Sequence, residues 1–136
     1  MDICFDKLSE TQHFLERMRS NLGNQYEFNY DLSAFLSSAR SILQYIYEVD
    51  RPETKVWYER KISDSAILKQ FRDLRDGNIH DEPVRTKKHA TSAGERTHYF
   101  NSKYTRDEVL RLAEDYVSEI QNLLQEGIRL GYLQGS

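Results

Sequence analysis

Phe28-Asn29-Tyr30-Asp31-Leu32-Ser33-Ala34-Phe35-Leu36-Ser37-Ser38-Ala39-Arg40-Ser41-Ile42-Leu43-Gln44-Tyr45-Ile46 is the stretch on which the fold turns. Phe28, Leu32, Phe35, Leu36, Ala39, Ile42, Leu43 and Ile46 make a wide apolar stripe at helical spacing, while Ser33, Ser37, Ser38, Arg40 and Gln44 take the other faces. The spacing predicts a helix over about residues 29–49. Asp50-Arg51-Pro52 ends it, because the residue before a proline avoids helical angles.

Three more amphipathic segments flank it. Phe5, Leu8, Leu15, Met18 and Leu22 share one face, which predicts a helix over about residues 6–22 with Gly23-Asn24 as its stop. A third segment, about residues 53–76, carries Val56, Trp57 and Ile62, then Ile67, Leu68, Phe71 and Leu74. Ser63-Asp64-Ser65 reads as a break inside it, with Ser63 or Asp64 capping the second piece. Gly77 suits the left-handed residue just past its end. The fourth segment spans about residues 106–130, opened by a capping box of Thr105 and Glu108. Its stripe is Val109, Leu110, Ala113, Tyr116, Val117, Ile120, Leu123, Leu124 and Ile128. Such stripes cannot be hidden singly, so the expected fold is all-α: one domain over residues 1–136, an antiparallel four-helix bundle. A long loop or small β-hairpin separates the third and fourth helices.

Composition agrees. The chain has 136 residues, 6 glycines and 2 prolines, a balance that favours long helices over tight turns. No apolar run approaches the ~20 residues that span a bilayer. The N-terminus, Met1-Asp2-Ile3-Cys4-Phe5-Asp6, lacks the basic segment and apolar core of a secretory signal. Cys4, the single cysteine, rules out an internal disulfide and reads as an apolar residue. A cytoplasmic protein with no membrane contact is expected. The four histidines share no metal-ligand spacing, and His13 reads as a surface or core residue. The glycines never cluster into a phosphate loop, and no Gly-x-Ser-x-Gly elbow occurs. No metal and no cofactor are expected. Tyr26, Tyr30, Tyr45, Tyr47, Tyr58 and Tyr116 fit partly buried helix flanks.

The loop over residues 81–104 is long for a compact domain, a length usually tied to function. Pro83-Val84-Arg85-Thr86-Lys87 and Arg96-Thr97-His98-Tyr99-Phe100 have strand character around Ser92-Ala93-Gly94. Residues 83–105 carry Arg85, Lys87, Lys88, Arg96 and Lys103 against Glu95 alone, a local +4 on a chain of net charge −3. The remainder therefore carries −7. The whole protein is no bulk nucleic-acid coat, but this flap is suited to hold a polyanion.

At the end of the third helix, leading into the flap, lies Phe71-Arg72-Asp73-Leu74-Arg75-Asp76-Gly77-Asn78-Ile79-His80-Asp81-Glu82-Pro83. Arg75 is a permanent cation that can grip a phosphate bidentately, and His80 is the side chain that most readily moves a proton near neutral pH. Their spacing alone is weak evidence: with 12 arginines and 4 histidines, such a pair arises roughly once by chance. Its position carries more.

At that position Leu74-Arg75-Asp76-Gly77-Asn78-Ile79-His80 resembles the Leu-Arg-Asn-x-x-x-His motif of the HEPN superfamily, the "higher eukaryotes and prokaryotes nucleotide-binding" domains. The second helix, with Trp57-Tyr58 and Phe71 in the third, is similar to bacterial members of that family, over about residues 28–130. The resemblance implies a metal-independent endoribonuclease of toxin or defence type, working as a homodimer whose paired motifs face one cleft. His80 would be its general acid or base, and Arg75 would hold the scissile phosphate. Asp76 stands where Asn is usual, an anion beside the phosphate. Asp76, Asn78, Arg85, Lys87, Lys88 and Arg96 form the expected RNA or nucleotide contacts. The family also implies an antitoxin or nucleotidyltransferase partner. Its second face is a non-catalytic module that binds nucleotide, RNA or a partner protein.

Overall fold

The computed structural model describes residues 2–80, 86–90, 96–100 and 108–134, with side chains over 3–74 and 108–134. The chain is predominantly helical. Its elements are α1 (Asp2–Ser20), α2 (Gln25–Tyr47), α3 (Pro52–Asp64), α4 (Ala66–His80), β1 (Thr86–Ala90), β2 (Arg96–Phe100) and α5 (Val109–Arg129). The two strands pair antiparallel, Lys88 opposite His98 and Ala90 opposite Arg96. No described helix is long and apolar enough to cross a membrane.

The α2 stripe behaves as its spacing predicts. All eight apolar positions from Phe28 to Ile46 are buried. The helix starts four residues earlier than expected because Asn24 caps it, its side chain accepting from the Glu27 N–H at 3.2 Å. α1 packs along α2 and beside α5, and α4 packs beside α2 and α5. Their shared core is joined by aromatic contacts. Phe71 of α4 stacks on Tyr116 of α5, with centroids 4.2 Å apart and planes at 9°. Phe35 of α2 meets both rings edge-on at 6.3 and 6.2 Å.

Two polar positions of α2 are interior. Asp31 is buried between α1 and α2, accepting from Arg17 Nε and Asn21 Nδ2, each at 2.9 Å. That pairing pushes the Arg17 guanidinium further up, since its charge is stabilised by the Asp31 hydrogen bond and field. Ser38 is buried too, donating within reach of the Ala34 carbonyl at 2.9 Å and Glu10 Oε1 at 3.1 Å. Val56 departs the other way: it is exposed, while Trp57 beside it is fully buried. Cys4 is buried, and burial pushes its thiol up, as expected for an inert apolar cysteine. Tyr26 and Tyr30 are exposed rather than half-buried.

The ends of α3, α4 and α5 differ from expectation for local reasons. The break falls within Ser63-Asp64-Ser65 as expected, but the capping residue is Ser65 rather than Ser63 or Asp64. Ser65 is extended (φ −108, ψ 109), its N–H donates to the Ile62 carbonyl, and its hydroxyl accepts from the Leu68 N–H at 3.2 Å. One residue therefore closes α3 and caps α4. Gly77 does not stop α4, which continues through it to His80. Glu108 itself caps α5, its side chain accepting from the Arg111 N–H at 2.6 Å; Thr105 lies outside the described residues. The left-handed glycine is Gly131 (φ 81), after α5. There Tyr132 N–H reaches the Gly127 carbonyl at 2.8 Å and Gly131 N–H the Ile128 carbonyl at 3.1 Å, a Schellman closure. The hook folds onto α3: Tyr132 stacks on Trp57 at 5.4 Å, and Thr54 Oγ1 donates to the Tyr132 carbonyl at 2.9 Å.

Candidate anion-binding cleft

The Ser65 break sets α4 off from α3, and a cleft of about 420 Å³ lies where both meet α2. From α2 come Arg40, Leu43, Gln44 and Tyr47; from α3 Tyr58, Glu59, Ile62 and Ser63; from α4 Leu68, Lys69 and Arg72. Spacings of three and four on each helix explain the shared face. Leu43, Tyr58 and Leu68 are buried and form an apolar wall. Tyr47 leans on Tyr58, centroids 6.1 Å apart, and carries Lys55 Nζ 5.6 Å from its ring centre.

The charge of the lining is lopsided, with Arg40, Lys69 and Arg72 against Glu59. Arg40 is the inner cation. It is half-buried, and its charge acts on the buried hydroxyls of Tyr58 and Tyr116. Its Nε is shut off from solvent and has no hydrogen-bond partner among the described residues. The protein thus leaves the guanidinium's donors incompletely used, which costs ~1–3 kcal/mol for a buried polar group. Burial pushes the Tyr58 hydroxyl up, and the charges of Arg40 and Arg72 pull partly against that rise. Both arginines therefore act on one point, the Tyr58 oxygen. Arg72 is 42% exposed, and its described ion pair is a long one of 3.6 Å with Asp73 next in sequence. Two forked cations and a phenol facing an apolar wall suit a phosphate or carboxylate carried on a less polar body.

The residues singled out by the motif are placed by backbone alone. Arg75, Asp76, Asn78 and His80 all lie on α4. Asp76 and His80 continue, at steps of four, the row begun by Lys69 and Arg72. Arg75 and His80 are five residues apart on one unbroken helix, about 140° around its axis, rather than flanking a helix end. Lys87 and Lys88 lie on β1 and Arg96 on β2, and the register puts Lys88 and Arg96 on one face of the ribbon with Lys87 on the other. Arg85 lies outside the described residues. His13 is exposed beside Phe14, and no group of three or more potential metal ligands occurs among the described residues.

Sequence reasoning passed over Arg40, Tyr58, Lys69 and Arg72. A signal existed for Arg40, which follows Leu36 by four residues and precedes Leu43 by three, on the border of the stripe rather than opposite it. Nothing comparable marked Tyr58, whose partner cations come from two other helices. Compared with known proteins, the chain matches no family model, no curated protein and no solved structure.

Proposed function

We propose that this chain is a HEPN-like four-helix bundle, with α3 and α4 as one broken arm, that binds RNA or a nucleotide by its phosphate in the α2–α3–α4 cleft. The observation that carries the reading is Arg40, a half-buried cation that lines one cleft with Lys69 and Arg72. Cations gathered this way on a chain of net charge −3 are costly to each other unless an anion joins them. Binding of a fluorescent single-stranded oligoribonucleotide and of a nucleoside monophosphate tests it. Arg72→Ala should weaken binding at least tenfold, about 1.4 kcal/mol; unchanged affinity refutes the assignment.

The second reading adds metal-independent cleavage, and it is favoured by the helix that carries the motif. Arg75 and His80 lie on α4, just beyond the turn that supplies Lys69 and Arg72. In this reading His80 takes the proton of a ribose 2′-hydroxyl, whose oxygen attacks the adjacent phosphorus while the 5′-oxygen leaves and is protonated. Arg75 neutralises the charge that builds on the phosphoryl oxygens. A homodimer would supply a second Arg–His pair to separate acid from base, and an antitoxin or nucleotidyltransferase-type partner would restrain it. Incubation of total RNA in EDTA with the wild type and with His80→Ala decides. Cutting that disappears in the variant supports cleavage, and no cutting by either protein leaves the binding module.

A further inference from the structure

We propose that the α2–α3–α4 cleft takes a terminal phosphomonoester, the phosphate end of an RNA strand or of a mononucleotide, rather than a phosphodiester from within a strand. The inference rests on the reading of this cleft as a phosphate site, and narrows it.

Depth is the first argument. Arg40 is half-buried with its Nε shut off from solvent, whereas Lys69 is exposed and the Arg72 side chain is 42% exposed. A group that engages Arg40 therefore sits deeper in the cleft than one held by Lys69 alone. A monoester has one substituent, which can leave through the mouth past Tyr47. A diester carries chain on both sides, and the buried Leu43, Tyr58 and Leu68 wall the cleft. Charge is the second. Three cations against one carboxylate match a group of about −1.5 to −2 near pH 7 better than a diester of −1. Size is the third. A volume of about 420 Å³ sits low in the ~300–1,000 Å³ range of small-ligand sites. It is far short of a groove that tracks ~4–16 nucleotides.

The test uses the full chain and a short dye-labelled oligoribonucleotide carrying a phosphate at its 5′ end, at its 3′ end, or at neither. Uridine 5′-monophosphate and uridine serve as competitors. At least one phosphorylated form should bind tenfold or more tightly than the unphosphorylated strand at neutral pH. That advantage should shrink at pH 5, below the second phosphate pKa of ~6. Arg40→Gln and Arg72→Gln should each abolish the preference. Arg72 is 42% exposed, so its variant reports even where Arg40→Gln fails to fold. Competition by uridine 5′-monophosphate but not uridine supports the class for free nucleotides. Binding that is equal with and without terminal phosphate overturns this inference while leaving the cleft as an RNA site. A preference that survives in Arg72→Gln overturns it too. Binding of none of the probes removes the proposed function along with it.

Discussion

Gly127→Ala is a substitution for which helix propensity and tertiary packing predict opposite signs. Gly127 lies inside α5, where alanine is roughly 0.8–1 kcal/mol better than glycine. The added methyl, however, would stand 2.5 Å from Leu133 Cδ1, 2.8 Å from Leu133 Cγ and 2.7 Å from Trp57 Cη2. Leu133 cannot simply retreat, because its N–H donates to the Gly127 carbonyl at 3.0 Å and it is 5% exposed. Trp57 is 1% exposed and held on its other side by the stacked Tyr132. Overpacking against two pinned groups costs about 2–3 kcal/mol, the upper part of the usual range. The net loss is then about 1–2 kcal/mol after the propensity gain. With an unfolding entropy of about 2.1 cal/mol/K per residue, that loss lowers Tm by roughly 3–7 °C for a chain of 136 residues. Thermal unfolding followed by far-UV circular dichroism measures it. Fluorescence of Trp57, the single tryptophan, reports the hook locally. A Tm equal to or above wild type would refute the packing of residues 131–133 onto α3. A double-mutant cycle sharpens the point: in a Leu133→Ala background only the Trp57 contact at 2.7 Å remains, so Gly127→Ala should cost less there than in the wild type.

Ser65→Ala removes the hydroxyl that caps α4, and should cost ~0.5–2 kcal/mol in urea unfolding; no loss would mean the break is maintained by packing alone. Tyr116→Phe tests the core by pH. Burial pushes the Tyr116 hydroxyl well above its ordinary 10.0, so on raising the pH the unfolded chain loses its proton first. Stability is then full below pH 10 and falls progressively above it. Tyr116→Phe should flatten that fall above pH 10, and equal slopes for both proteins would show that the ring does not resist ionisation in the fold.

What could be read from the chain alone was whatever depends on neighbours along it. The α2 stripe is the clearest case: each of its eight apolar positions is buried because a helix repeats every 3.6 residues whatever it packs against. The same regularity placed Leu68, Phe71 and Leu74 in the core. It also set α5 within a few residues of its bounds. Where one step of about 100° decides between core and solvent, periodicity does not discriminate, as at exposed Val56 beside buried Trp57. Glycine chemistry was equally indecisive. Gly77 and Gly131 offer the same freedom, yet helix α4 continues through the first and the hook turns at the second. The hook's contacts with Thr54 and Trp57, more than seventy residues away, settle the latter.

The cleft belongs wholly to that second kind of information. The sequence by itself determined a predominantly helical chain, the faces of its helices, and the presence of Arg75 and His80 in one segment. The tertiary structure decided that Arg40 of α2, Tyr58 of α3 and Arg72 of α4 share one opening. Helix formation is written in spacings of three and four, which are local. The convergence of two cations on one phenol depends on how three helices cross, and that is set by side chains scattered from Phe35 to Tyr116 across the common core.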